Sequence, residues 1–228
     1  MSESTPPWEP PKHGTDTEQV LASIERMRAT FRWKADGLDA PALAHRVGAS
    51  ALTLGGLLKH LAIVEDHYFT NLFAGEGYPA VWGELGHDES EDWEFRTAAA
   101  DSPEVLYDLY DEAVERSRSA IAKVLVAGDL DQRVDMGRPE WQPSLRAVLC
   151  GLIEEYGRHT GHADLIREDI DGRVGEDPPT HWRTRIFPAA RPIDRRPVRS
   201  GRSPARHRRG RYVRRSGAPA ITSTQQGI

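Results

Sequence analysis

The chain has 228 residues, of which 38% are apolar and 29% charged, and it carries a formal net charge of −5. That is enough for one domain of ordinary size with extensions and a modest core. No run approaches the roughly 18 apolar residues of a membrane span, and the opening MSESTPPWEPPKHG lacks the basic-then-apolar layout of a secretory signal. A single cysteine, Cys150, excludes an internal disulfide framework and suits a reducing compartment, so a cytoplasmic location without membrane contact is expected.

The charge is unevenly divided. Thirteen arginines and one acid, Asp194, fall between Arg183 and Arg215, and without them the chain holds 17 bases against 34 acids, a net charge of −17. An acidic body repels nucleic acid and a basic tail attracts it, so nucleic-acid contact is not expected except through the Arg-rich tail. Composition thus divides the chain into a flexible arm (1–15), a folded part (16–178) and a disordered Arg/Pro-rich tail (179–228) with too little apolar surface to fold alone.

Four amphipathic segments occupy the folded part. The first runs from about Asp16 to Asp36, with Val20, Ile24, Met27 and Phe31 three or four residues apart, and Gly37 stops it. The second spans about Thr53 to Ala74 and aligns Leu54, Leu57, Leu61, Val64, Tyr68 and Leu72. Ser102-Pro103 opens the third, an N-cap followed by proline at the first helical position, and Gly128 closes it. Ser144 opens the fourth, which carries Leu145, Val148, Leu152, Tyr156, Ala163 and Ile166 before Gly172. No period-2 pattern competes, so the expected fold is all-α, a four-helix bundle. The connection from Gly75 to Asp101 is long for such a domain and holds Trp82, His87, Trp93 and Phe95, which marks it as functional or as a cap on the bundle.

The fourth helix carries polar groups on its apolar side. At about 100° per residue, Glu155, His159 and His162 lie within about 60° of one another, beside Leu152, Tyr156 and Ile166. Buried polar groups need partners. His60 sits between Leu57 and Val64 on the second helix, and His67 lies seven residues on. Imidazoles and a carboxylate are good ligands for zinc, nickel or iron, an i, i+4 pair can grip one ion, and three protein ligands leave an open position as in catalytic sites. A half-buried His/Glu network satisfied by water is the alternative.

The segments LTLGGLLKHLAIVEDHYF, DWEF and IEEYGRHTGHADLIRE resemble the DinB-like superfamily, in particular its actinobacterial mini-circle-type branch, over roughly Glu9 to Glu176. That superfamily includes thiol-dependent S-transferases and the mycothiol-dependent maleylpyruvate isomerase. The resemblance implies a four-helix bundle, a homodimer, and a divalent metal held by one histidine of the second helix and two ligands four apart on the fourth. Carried over, the ligands are His60, Glu155 and His159, in the Glu-x3-His form of the isomerase branch. Zinc is first among the metals implied, with nickel or iron as alternatives. His162 stands where many relatives have glutamine, which implies contact with a ligand or the substrate rather than primary ligation. His67 is a candidate general base or fourth ligand. Arg167 is a candidate partner for a substrate carboxylate, its alternative being ion pairing on an exposed helix face.

The activity implied is transfer of a low-molecular-weight thiol to a small-molecule electrophile. A metal-dependent hydrolase and a non-catalytic, stress-associated metal-binding dimer are the alternatives. The isomerase carries a further C-terminal domain where this chain has the Arg-rich tail, which argues against isomerase activity. Cys150 is expected on the buried side of the fourth helix and inert, and Gly161 is expected to mark a close helix approach.

Overall fold

The computed structural model describes residue 6 and residues 8–88, 90, 92–134, 136 and 140–188. Local capping chemistry sets the starts of its long helices. In α1 (Asp16–Ala35) the Thr15 hydroxyl accepts from the Glu18 backbone while the Glu18 carboxylate accepts from the Thr15 backbone N–H, a reciprocal capping box. A short helix, α2 (Ala40–Leu43), lies in the first connection. Thr53 caps α3 (Leu54–Glu65), which runs without a break into a π-helical segment, Asp66–Phe73. The long connection folds into α4 (Ala80–Glu84), α5 (Trp93–Thr97) and a 3₁₀ turn at Ala98–Ala100. Ser102 caps α6 (Pro103–Ala127), and Ser144 caps α7 (Leu145–Asp171), which ends at Gly172 in the left-handed conformation (φ 74°).

The four long helices fall where the apolar spacing places them, and the fold is an all-α bundle. Among the described residues the one β pairing is an isolated bridge between Arg133 and Ser144. No helix among them is long and apolar enough to cross a membrane. α1 packs along α7 and α3 along α6, with α5 laid across α3. Close approach at α3 uses Gly55 and Gly56: a Cβ on Gly56 would lie 2.8 Å from the Phe95 ring, and one on Gly55 would lie 3.1 Å from Leu106. Gly161 plays no such part, because nothing lies within 4 Å of where its Cβ would be.

Charges enter the core as closed sets. The Arg28 guanidinium (α1) donates through Nε and Nη2 to the two oxygens of Glu65 (α3), each at 2.7 Å. The Tyr156 hydroxyl (α7) donates to the same Glu65 at 2.8 Å, and the Tyr110 hydroxyl (α6) donates to the Arg28 carbonyl at 3.3 Å. All four long helices thus meet at one ion pair. One residue later, Asp66 accepts two bonds from Arg116, one from Thr70 and one from the Trp82 indole, fastening the π-helical segment to α6 and α4. Lys59 is buried against the Trp93 ring and bonds Asp101 and Thr97, which fixes the far end of the long connection.

Several residues sit differently from their sequence expectation. Arg167 is buried, not on an exposed face. It pairs with Asp171 and donates to the carbonyls of Lys34 and Asp36, closing the last turn of α1. Cys150 is exposed, because Leu149 and Leu152 take the core-facing positions on that turn. Packing also continues past Pro178 at least to Phe187: Trp182, Ile186 and Phe187 are buried, and the Trp182 indole donates to Asp36. On the other side of the bundle's sequence, Trp8 is only 2% exposed and meets Trp182 edge to face at 5.7 Å. These aromatics are isolated among Pro and Arg, so average composition does not register them. The expectations for residues 1–5, 7 and 189–228 lie outside the described residues.

Replacing Glu65 by alanine removes the partner that meets Arg28 with both oxygens and leaves Glu25 as its remaining carboxylate, a loss of about 3 kcal/mol. Urea unfolding should show this loss for Glu65→Ala and a change of no more than ~0.5 kcal/mol for the exposed Glu168→Ala. Equal midpoints for the two variants would contradict the closed-network account.

Candidate metal centre

The Arg28–Glu65–Tyr156 set fixes the rotation of α7 against α3, and Tyr156 is the immediate neighbour of Glu155. With Tyr156 turned inward, Glu155 and His159 fall on the α7 edge that faces His60 of α3. His60 Nε2 lies 2.9 Å from Glu155 Oε1, and His159 Nε2 lies 3.0 Å from the same oxygen. The two imidazole rings are 4.8 Å apart, centroid to centroid. One ligand atom from each of His60, Glu155 and His159 can be chosen so that all lie within 4.8 Å of one another. These are the three residues that the family resemblance implies as ligands.

His60 is held from its other side as well. Its Nδ1 donates to Glu94 Oε1 at 2.7 Å, and the Phe95 ring stacks on it at 5.3 Å. Both residues belong to α5, so the long connection forms one wall of the centre. A carboxylate on the far nitrogen of an imidazole fixes its tautomer and raises its basicity, as is usual for metal-bound histidine. Glu94 is an acid of the DWEF segment, to which the sequence patterns give no role. Nothing in helical periodicity links it to a residue 34 positions earlier, and an acid set between Trp93 and Phe95 is the only local signal.

The electrostatics of the pair are opposed. Burial disfavours the charged form of His60, but the carboxylates of Glu94 and Glu155 outweigh it and raise its pKa above the usual histidine value. Burial likewise disfavours charge on His159, and the nearby His60 adds to that effect, so its pKa is lowered despite Glu155. For both Glu94 and Glu155, burial raises the carboxyl pKa but hydrogen bonding to His60 prevails and holds it below the ordinary value. The surroundings thus favour charge on Glu155 and His60 and disfavour it on His159, and a proton on His60 Nε2 would compete with a metal ion for that nitrogen. Two imidazole nitrogens and a carboxylate oxygen, converging from two rigid helices, suit a borderline divalent ion such as zinc.

The remaining predicted residues occupy separate places. The Nδ1 of His162 lies 3.3 Å from the Nδ1 of His159, so it touches the centre only through that ring. His67, on the π-helical segment, has its Nδ1 2.6 Å from the Tyr78 hydroxyl. It lines a cleft of about 500 Å³ together with His60, Asn71, Tyr78, His87 and Glu94. Single π-helical turns inside α-helices often mark functional sites, and this one carries His67 and Asn71. Helical periodicity gives no part to Tyr78 or His87, which lie in the long connection. Trp82 and Trp93 are buried behind His87, packing against it rather than lining the cleft.

A family profile described as mycothiol S-transferase matches residues 19–172. No curated protein matches the chain. Among solved structures, the chain is similar to the crystal structure of a conserved protein from Enterococcus faecalis. The two share 17% identity and a TM-score of 0.54, over 71% of this chain and 100% of that one. This likeness bears on the fold alone.

Because a proton and an ion compete for His60 Nε2, metal affinity should fall as the pH drops through the raised His60 pKa. In Glu94→Gln that decline should begin at lower pH, since the charge favouring the proton is gone. Affinity on the high-pH plateau should nevertheless be about 10–100-fold weaker. Chelator-competition titrations of zinc across pH measure both quantities, and identical curves for the two proteins would rule out Glu94 as the support of His60.

Proposed function

The chain belongs to the mycothiol S-transferase family, and on that premise we propose that it joins a low-molecular-weight thiol, mycothiol, to an electrophilic carbon at a divalent-metal centre held by His60, Glu155 and His159. The observation that carries this reading is the convergence of those three donors from α3 and α7, with the outer nitrogen of His60 anchored by Glu94. Their donor chemistry favours zinc, with nickel or iron as alternatives. When bound, such an ion acts as a Lewis acid that lowers the pKa of a thiol toward neutrality.

The protein's own groups perform the rest. His60, Glu155 and His159 would hold the ion and, being three protein ligands, would leave a position for the thiol. The cleft beside His60 offers hydroxyl, imidazole and amide groups from Tyr78, His67, His87 and Asn71, which suits a hydroxyl-bearing thiol. His67, its ring oriented by Tyr78, is the proposed acceptor of the thiol proton. His162 acts through His159, steadying its ring. Sulfur then bonds to the electrophilic carbon. A leaving group departs with its electron pair, or at an activated double bond the adjacent carbon takes up a proton. Free-thiol chemistry and a chain with one cysteine both accord with the cytoplasm.

Elemental analysis of purified protein should find one equivalent of divalent metal, lost in His60→Ala and in His159→Ala. With mycothiol and an electrophile, loss of free thiol and a mass-shifted adduct should accompany the wild type and fall on the order of 100-fold or more in both variants. Stoichiometric metal without any adduct would instead support a non-catalytic metal-binding bundle and overturn the transferase reading.

A further inference from the structure

The centre has a second approach that the thiol cleft does not use. A separate cavity of about 370 Å³ is bordered by Glu155 and lined by Val64, Tyr68, Trp141, Pro143, Val148 and Leu152, among others. Val64 and Tyr68 also border the histidine-lined cleft, so these two side chains form the rim between the cavities. The linings differ in kind. Beyond Glu155, the Tyr68 hydroxyl and the Trp141 indole, the described lining is apolar, and no lysine or arginine is among the described lining residues.

Two details of the lining bear on what it could hold. Gly151 lies on the lining in the second turn of α7, and a Cβ there would have nothing within 4 Å. A mid-helix glycine costs roughly 0.5–1 kcal/mol relative to alanine, and here neither close packing nor a left-handed backbone requires it. Trp141 remains 43% exposed on the lining, a large aromatic surface left available beside an apolar hollow. Binding sites for small organic ligands have this make-up and volume.

We propose that this cavity holds the electrophilic cosubstrate, an uncharged compound with an aromatic or compact aliphatic body, while the thiol enters through the histidine-lined cleft. The inference rests on the transferase reading and specifies its second substrate. Glu155 on the lining disfavours an anionic electrophile, and no cation among the described lining residues compensates. Gly151 leaves room for the body of the ligand, and Trp141 supplies a face for it to pack against. With an aryl chloride the step balances as follows. The thiol gives up its proton, sulfur forms a bond to the ring carbon, and the C–Cl bond breaks with chloride leaving on its electron pair.

The test uses full-length, metal-loaded protein, with Gly151→Phe to fill the cavity and Gly151→Ala as a lesser intrusion. With chlorodinitrobenzene as electrophile, Gly151→Phe should raise its KM at least tenfold while metal content and the KM for the thiol stay the same. A parallel arm needs no turnover. Dinitrobenzene, which lacks the leaving group, should bind the wild type by calorimetry and bind Gly151→Phe at least tenfold more weakly. If Gly151→Phe does not fold, Trp141→Ala replaces it, with a severalfold weaker dinitrobenzene affinity expected. Absence of thiol conjugation in the wild type alongside Gly151-dependent dinitrobenzene binding would sink the transferase reading but not the cavity assignment. Dinitrobenzene binding that is absent from the wild type or unaffected by the substitutions would overturn the assignment, whatever the activity.

Discussion

Arg28 brings a guanidinium into the centre of the bundle, and the positions of the long helices follow from how that charge is answered. Glu65 meets it with both oxygens, Tyr156 bonds the same carboxylate, and Tyr110 bonds the Arg28 carbonyl. A buried pair of this kind adds little net stability over a well-packed apolar core, because desolvation offsets most of the attraction. Its consequence is register. Sliding or rotating α7 by one residue would take Tyr156 from Glu65 and leave a buried hydroxyl without this acceptor, so α7 is held with Glu155 and His159 facing His60. The residues that hold the helices and the residues that form the site are thus neighbours in sequence, Tyr156 beside Glu155 and Glu65 five positions after His60.

Much of this arrangement is legible in the chain. The apolar spacing and the caps Thr15, Ser102 and Ser144 mark three long helices to within a residue or two, and Thr53 marks the fourth. His60, Glu155 and His159 are legible for a related reason: a polar group on an apolar stripe stands out, and two stripes that must face each other imply that their polar groups meet. The limits have equally physical causes. A helical wheel assumes a constant rotation per residue, and the π-helical segment after Glu65 breaks that assumption just before His67. Wheel position also does not separate the core from its margin, which is why Cys150 and Arg167 sit on sides opposite to those expected. Glu94, Tyr78 and His87 come from the long connection, where no period relates one residue to another.

That connection has a larger share in the site than a cap would. It supplies the carboxylate behind His60, the ring stacked on it and much of the polar cleft, and it is tied down by buried Lys59 at one end and by Trp82 on Asp66 at the other. The second cavity is built from α3, its π-helical extension, α7 and the segment leading into α7. In the proposed transfer the two substrates would enter by these two cavities, with Val64 and Tyr68 shared between them.

The central claim is that His60, Glu155 and His159 form one metal centre and not a proton-sharing cluster. Anomalous diffraction at the zinc edge from crystals grown with saturating zinc addresses it directly. The account predicts a single strong peak bonded to His60 Nε2, His159 Nε2 and a Glu155 oxygen, with Glu94 still on His60 Nδ1. A peak elsewhere, or no peak with Glu155 still bridging the two imidazoles, would contradict it.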